Sequence, residues 1–112
     1  MRIKGEIYLE FKDFNNALKS FVDLKHYCDE KGKFKEKVIC YEQIGICHRI
    51  LNDHYSAIKY FRRQLGLAWD QKDEKSEVSA CDNLAIEYYY LGDLDKASYF
   101  NDRMMRGKVE SD

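Results

Sequence analysis

Apolar residues recur three and four positions apart along most of the chain. Phe14, Ala17, Leu18, Phe21, Leu24 and Cys28 form one such stripe, and Val38, Tyr41, Ile44, Cys47 and Leu51 a second. Tyr55, Ile58, Phe61, Leu65 and Ala68 form a third, and Val78, Cys81, Leu84, Tyr88 and Leu91 a fourth. That spacing predicts helices that bury one face each, over residues 14–31, 35–51, 54–71 and 76–91. A further helix is expected over 1–12, and another from Asp93 or Leu94 to about Arg106, with Gly107 and the polar tail 108–112 fraying. The breaks are short (Lys31-Gly32-Lys33, Asn52-Asp53, the charged segment 72–76), and Asp73 is a candidate cap for the helix after it.

The stripes repeat. At an offset of 40, Gly5, Gly45 and Ala85 coincide, then Tyr8, His48 and Tyr88, then Phe11, Leu51 and Leu91. Asp13, Asp53 and Asp93 follow, then Ala17, Ala57 and Ala97, then Phe21 and Phe61 with Asn101 as the exception. A fixed period over this many positions marks a repeat architecture. The small residue at 5, 45 and 85 lets two helices approach, and the alanine at 17, 57 and 97 receives that approach. Tyr8, Tyr88 and Phe61 are expected to fill the space around the contact. Each aspartate stands where a second helix begins, suited to capping free N–H groups. Gly92 suits the left-handed residue that ends a helix. The expectation is an all-α fold: a solenoid of three helix-turn-helix repeats over about 1–33, 34–73 and 74–112, with six antiparallel helices in one domain spanning 1–112. The first helix starts partway through its period, and the last presents Tyr99, Met104 and Met105 without a following helix, so the chain reads as a segment of a longer solenoid.

Composition narrows the function. The 19 basic and 20 acidic residues give a net charge of -1, which provides no field to hold nucleic acid. Proline is absent, as suits helices. No run reaches the roughly 20 apolar residues of a membrane span, and the N-terminus lacks the features of a signal peptide. Cys28, Cys40, Cys47 and Cys81 form no C-x-x-C pair, which fits a reduced cytoplasmic setting, with association with the cytoskeleton or a cilium as a further expectation.

The order of small residue, aromatic at +3, Leu-Gly-Asp turn, Ala at +12 and Phe at +16 resembles the tetratricopeptide repeat. The segment NLAIEYYYLGDLDKA, residues 83–97, matches it best within this chain. The period of 40 exceeds the usual 34. It is similar to the longer-helix variant of the G-protein-signalling modulators and of rapsyn, as is the string LAWDQKDEKSEVSACDNLA over 67–85. The resemblance implies a right-handed α-solenoid, a non-enzymatic scaffold whose first helices line a concave groove for a protein or peptide partner. It also implies groove-lining positions: Glu42, Gln43, Ile46 and Arg49 on one helix, and Asp82, Asn83, Ile86, Tyr89 and Tyr90 on the next. Asn83 corresponds to an asparagine that in the modulators bonds an extended peptide backbone; Ile86 departs from the second asparagine of that motif. Asn101 in place of Phe, and Lys4 in place of Leu, depart from the pattern in the terminal repeats, where capping is expected. The positions that clamp a carboxylate in chaperone adaptors hold Arg2, Glu6, Gln43, Ser79 and Asn83 here, and only Arg2 carries the right charge.

The candidates for chemistry have plain structural readings. Cys40 and Cys47 share a helix face without further metal ligands at suitable spacing, so both read as packing residues. His48 takes the slot of Tyr8 and Tyr88 and reads as core; His26 and His54 are scattered. Asp29-Glu30, Asp73-Glu74 and Arg62-Arg63 read as solvated surface. No phosphate loop, zinc motif or nucleophile elbow occurs, so neither cofactor, metal nor catalytic residue is expected. Tyr88-Tyr89-Tyr90 differs, because successive helical residues point about 100° apart and one helix cannot bury all three. Tyr88 belongs to the core, which leaves Tyr89 and Tyr90 for the groove or its rim. The alternative function is a structural segment acting through end-to-end stacking, with self-association through the solenoid ends.

Overall fold

A computed structural model describes residues 2–10 and 12–111; the side chains of residues 3, 8, 10 and 108–111 are outside the description. Six helices follow one another: α1 (Arg2–Glu10), α2 (Phe14–Lys31), α3 (Phe34–Ile50), α4 (His54–Asp70), α5 (Glu74–Tyr90) and α6 (Leu94–Ser111). They form three hairpins, α1–α2, α3–α4 and α5–α6, as the period predicts. Among the described residues each helix packs on its neighbours in sequence, α3 also touches α5, and the more distant α4 and α6 are bridged by the Arg103 guanidinium over the Trp69 ring at 5.9 Å. The first helices of the hairpins therefore form the inner layer of a solenoid, and the second helices the outer one. Among the described residues no helix is long and apolar enough to cross a membrane.

The joints follow from local chemistry. Asp13, Asp53, Asp73 and Asp93 each accept a hydrogen bond from the backbone N–H three residues on, at 3.1–3.3 Å. Capping by Asp73 starts α5 two residues earlier than the apolar stripe suggests. The residue before each cap is left-handed: Lys12 (φ 58°), Asn52 (64°), Lys72 (55°) and Gly92 (78°), with Gly32 (66°) in the remaining joint. Lys33 caps α3 without a side-chain bond.

The glycines at 5 and 45 are the close-approach points, but the partner differs from the expected alanine. A Cβ on Gly5 would lie 2.8 Å from the ring of Phe21, and one on Gly45 2.5 Å from Phe61. The aromatic four residues after the alanine thus occupies the space that the glycine leaves. Where the third repeat has Ala85, the matching ring is gone: Asn101 is exposed, and Phe100 is buried and stacks on Tyr88 at 5.7 Å. Tyr8, expected to fill the same space in the first repeat, lies outside the described side chains.

Two apolar clusters divide the core. One joins Ala17, Phe21, Leu24, Cys28, Cys40, Ile44 and Cys47 across α2 and α3. The other joins Ala57, Ile58, Phe61, Cys81, Leu84, Ala85, Tyr88, Ala97, Phe100 and Met104 across α4, α5 and α6. Several expectations need correction. Leu51 and Leu91, which close their stripes just beyond the ends of α3 and α5, are exposed, and Met104, expected to be presented beside Tyr99 and Met105, is buried. Tyr55 is 76% exposed. The buried stripe of α4 runs Ala57, Phe61, Gln64, Ala68, and Tyr55 stands six residues from Phe61, about 120° off that line. Nor does the C-terminus fray at Gly107: α6 continues to Ser111, and a Cβ at Gly107 would meet Val78 of α5 at 2.5 Å.

Candidate functional site

The nine predicted groove residues do not form one surface. Four of them are engaged inside the seam where α5 docks on the hairpin α3–α4. Arg49 forms an ion pair with Glu87, whose side chain is fully buried, and its Nη2 donates to the Asn83 side-chain oxygen at 3.0 Å and to the Asn83 carbonyl at 3.3 Å. His54 Nδ1 lies 2.7 Å from the other Glu87 oxygen. Glu42 accepts from the Ser79 hydroxyl at 3.0 Å and from the Gln64 amide at 3.3 Å, and that amide also donates to the Ser76 carbonyl. Ile46 packs against the larger apolar cluster.

Burying a carboxylate is costly unless a cation and hydrogen bonds meet it, and Glu87 has both. Arg49 and His54 approach it from the end of α3 and the start of α4, so the network reports correct seating of the third hairpin on the second. Arg62, expected in solvent, reinforces the same seam by donating from Nε to the Tyr88 hydroxyl at 3.0 Å. Asp29, also expected in solvent, ties α2 to α3 through Lys37, and the hydrogen bond from Lys37 holds its carboxyl below the usual range.

Four of the other predicted residues lie on the side of α5 that faces the open groove. Asp82, Tyr89 and Tyr90 are exposed and Ile86 is half-buried, whereas Tyr88 is buried, so the tyrosine triplet divides as the helical angle requires. Asp82, Ile86, Tyr89 and Tyr90 share a groove of about 530 Å³ with Ala85, Leu94, Ala97, Ser98 and Asn101. Tyr90 also stacks on His54 at 5.4 Å. Gln43 stays half-buried on the inner layer.

The remaining titratable groups are structural. All four cysteines are free and buried. Desolvation pushes the Cys40 thiol up to about 12 and Cys47 to about 11, which keeps both protonated and poor nucleophiles. His48 stacks on Tyr60 at 5.6 Å, and burial lowers its pKa against the pull of Asp53.

Glu87 and the slot residues Leu94, Ala97 and Ser98 were not among the predicted site residues. A signal existed for both. Glu87 shares its register with Ile7 and Cys47, so a charge stands where the pattern is otherwise apolar. Asn101 breaks the Phe21–Phe61 series on the wall of the open groove.

Comparison with known proteins fits this geometry. The tetratricopeptide repeat model matches residues 38–68, which cover most of α3 and most of α4. No curated protein matches the sequence. Among solved structures, the TPR domain of Arabidopsis FLU superposes with a TM-score of 0.88 over 96% of this chain and 90% of that one, at 21% identity. The chain thus carries a tetratricopeptide-repeat match in its central hairpin and, over nearly its whole length, the fold of a tetratricopeptide-repeat domain.

Proposed function

We propose that the chain is a non-enzymatic scaffold that binds a peptide or protein partner along the concave face lined by α1, α3 and α5. Tetratricopeptide-repeat folds are generally protein-interaction scaffolds, and the observation that carries the reading is the tyrosine pair at the end of α5. Tyr89 and Tyr90 are 67% and 64% exposed beside Asp82 and Ile86. Large amphipathic rings outside the core are the residues that interfaces favour. Since Arg49, Glu42 and Asn83 are engaged within the chain, recognition rests on Tyr90, Tyr89, Asp82, Ile86 and Gln43. The longer-helix class with a period of 40 is the family precedent for such a groove. A cytoplasmic setting is supported by four free thiols, all buried.

The test is selection of binding peptides from a displayed library, followed by calorimetry on a selected peptide. Tyr90→Ala should weaken binding about tenfold, the loss expected for an aromatic anchor. Tyr55→Ala on the outer layer should leave it unchanged. Binding that ignores Tyr90 and depends on Tyr55 would sink the reading.

A second reading is a structural segment that acts by end-to-end stacking. It is favoured by the open slot between α5 and α6.

A further inference from the structure

The repeat allows the open slot to be compared, position by position, with one that is filled. The hairpin α3–α4 receives α5, and its contact residues are Arg49, His54 and Phe61. Forty residues later the hairpin α5–α6 holds Tyr89, Leu94 and Asn101 at those positions. The arginine–histidine pair has become a tyrosine–leucine pair, and the buried ring an exposed amide. A helix like α5, with Glu87 at the contact point, would bury its carboxylate there without a cation. The slot instead suits a helix with an apolar residue at that register and a polar one where α5 has Leu84, which lies in one buried cluster with Phe61.

One helix of this chain carries that pair. Eighty residues before Glu87 stands Ile7, and eighty before Leu84 stands Lys4. Ile7 is 47% exposed on α1 and Lys4 is exposed, while Tyr89 and Leu94 are 67% and 62% exposed at the opposite end of the solenoid. An apolar version of this joint already exists within the molecule: Cys47, in the same register as Ile7 and Glu87, is buried in the cluster on which Leu9, the counterpart of Arg49 and Tyr89, packs. The residues of α1 correspond to residues 82–90 of α5, the half that carries the Leu84 and Glu87 registers.

We propose that the slot between α5 and α6 receives α1 of a second copy, seated as α5 is on the hairpin α3–α4. Ile7 then lies over Tyr89 and Leu94, and Lys4 faces Asn101. The contact is head to tail, so each bound copy offers a fresh slot and chains grow without closure. Tyr90 stays on the concave face in such a stack, because its counterpart Ile50 remains 43% exposed beside the docked α5. The proposal rests on the stacking reading; the docked α1 would cover Tyr89, Asp82 and Ile86, which leaves Tyr90 and Gln43 to the concave face.

Light scattering and sedimentation across a wide concentration range test it, with Ile7→Glu and Leu94→Glu as variants. Both residues are exposed, Glu suits the first turn of α6 where Leu94 stands, and Glu is a good helix former within α1, so circular dichroism should show both variants folded. The wild-type chain should gain mass steadily with a dissociation constant on the order of 0.1 mM, because a contact centred on a single helix buries less than a standard interface. Each variant alone should stay monomeric. Their mixture should form a 1:1 dimer and stop there, since Ile7→Glu keeps an intact slot and Leu94→Glu an intact α1. A wild-type chain that stays monomeric to about 1 mM overturns both the proposal and the stacking reading. Association abolished by Leu94→Glu but not by Ile7→Glu overturns the assignment of α1 and leaves stacking in place. Association that ignores both variants overturns both.

Discussion

Two slots of the same solenoid have the same walls and different chemistry. The slot of α3–α4 is closed by a buried carboxylate with an arginine and a histidine around it. The slot of α5–α6 offers a tyrosine and a leucine at the same places. An ionic contact of this kind contributes modestly to stability when intact and costs heavily when half removed, so it enforces one partner and one seating. An apolar contact is weaker in discrimination and reversible. The chain thus keeps its specific joint for its own third hairpin and presents the adaptable one outward.

Breaking the closed slot should have the largest effect. Arg49→Met leaves Glu87 buried with only His54 beside it, and should cost about 3 kcal/mol, the low end for breaking a buried pair because Arg49 is partly exposed. Urea midpoints will show this. Leu94→Ala, in the open slot, should change the same midpoint by less than about 0.5 kcal/mol. A loss at Leu94 as large as that at Arg49 would erase the distinction between the slots.

Next is Gly45→Ala. Its Cβ would collide with Phe61, and overpacking of this kind costs about 1–3 kcal/mol. Ala85→Gly, the reverse change in the hairpin that lacks the ring, should cost only about 1 kcal/mol through helix propensity. Equal losses would show that Phe61 yields freely. In the joint that leads into α5, Lys72→Gly should stabilise by about 0.5–1 kcal/mol, because a left-handed lysine is strained and the gain is partly offset by glycine's freedom in the unfolded chain.

The smallest effect is that of pH. Burial holds His48 below its ordinary 6.5, so the unfolded chain takes up its proton first. Its contribution is complete above about pH 6.5 and fades as pH falls towards the folded value. Asp53, lowered by its bonds to Ser56, and Asp29, lowered by Lys37, lose their contributions only below their ordinary 3.8. His48→Gln should flatten the midpoint between pH 6.5 and 5 and leave the drop below 4. A midpoint that still falls between 6.5 and 5 in that variant would assign the titration elsewhere.

The hairpins and their caps were legible because they depend on local signals: spacing, an aspartate, a glycine. Tyr55 misled because an apolar residue three before Ile58 satisfies helical spacing and still misses the line of Phe61. Glu87 was not legible as a site residue because its meaning depends on an arginine and a histidine brought to it by other helices. Arg49 and Asn83 sit at positions where the family resemblance implies a groove, yet they bond each other, and only three-dimensional contact reveals that the lining has been turned inward. The terminal departures Lys4 and Asn101 were visible from the start, but their complementarity needed the filled slot as a template.

The left-handed joint residues stand at 12, 32, 52, 72 and 92, one every twentieth position, although the sequence itself repeats only every fortieth. The backbone therefore keeps time at twice the rate of the side chains. Removing or duplicating forty residues would preserve both beats, and every helix face would still meet its intended neighbour. Deleting a single residue within a helix would rotate one part of that helix against the other by about 100° and turn a stripe of the core towards water. The solenoid can change in length by whole repeats, and the phase of its helices is what it cannot trade.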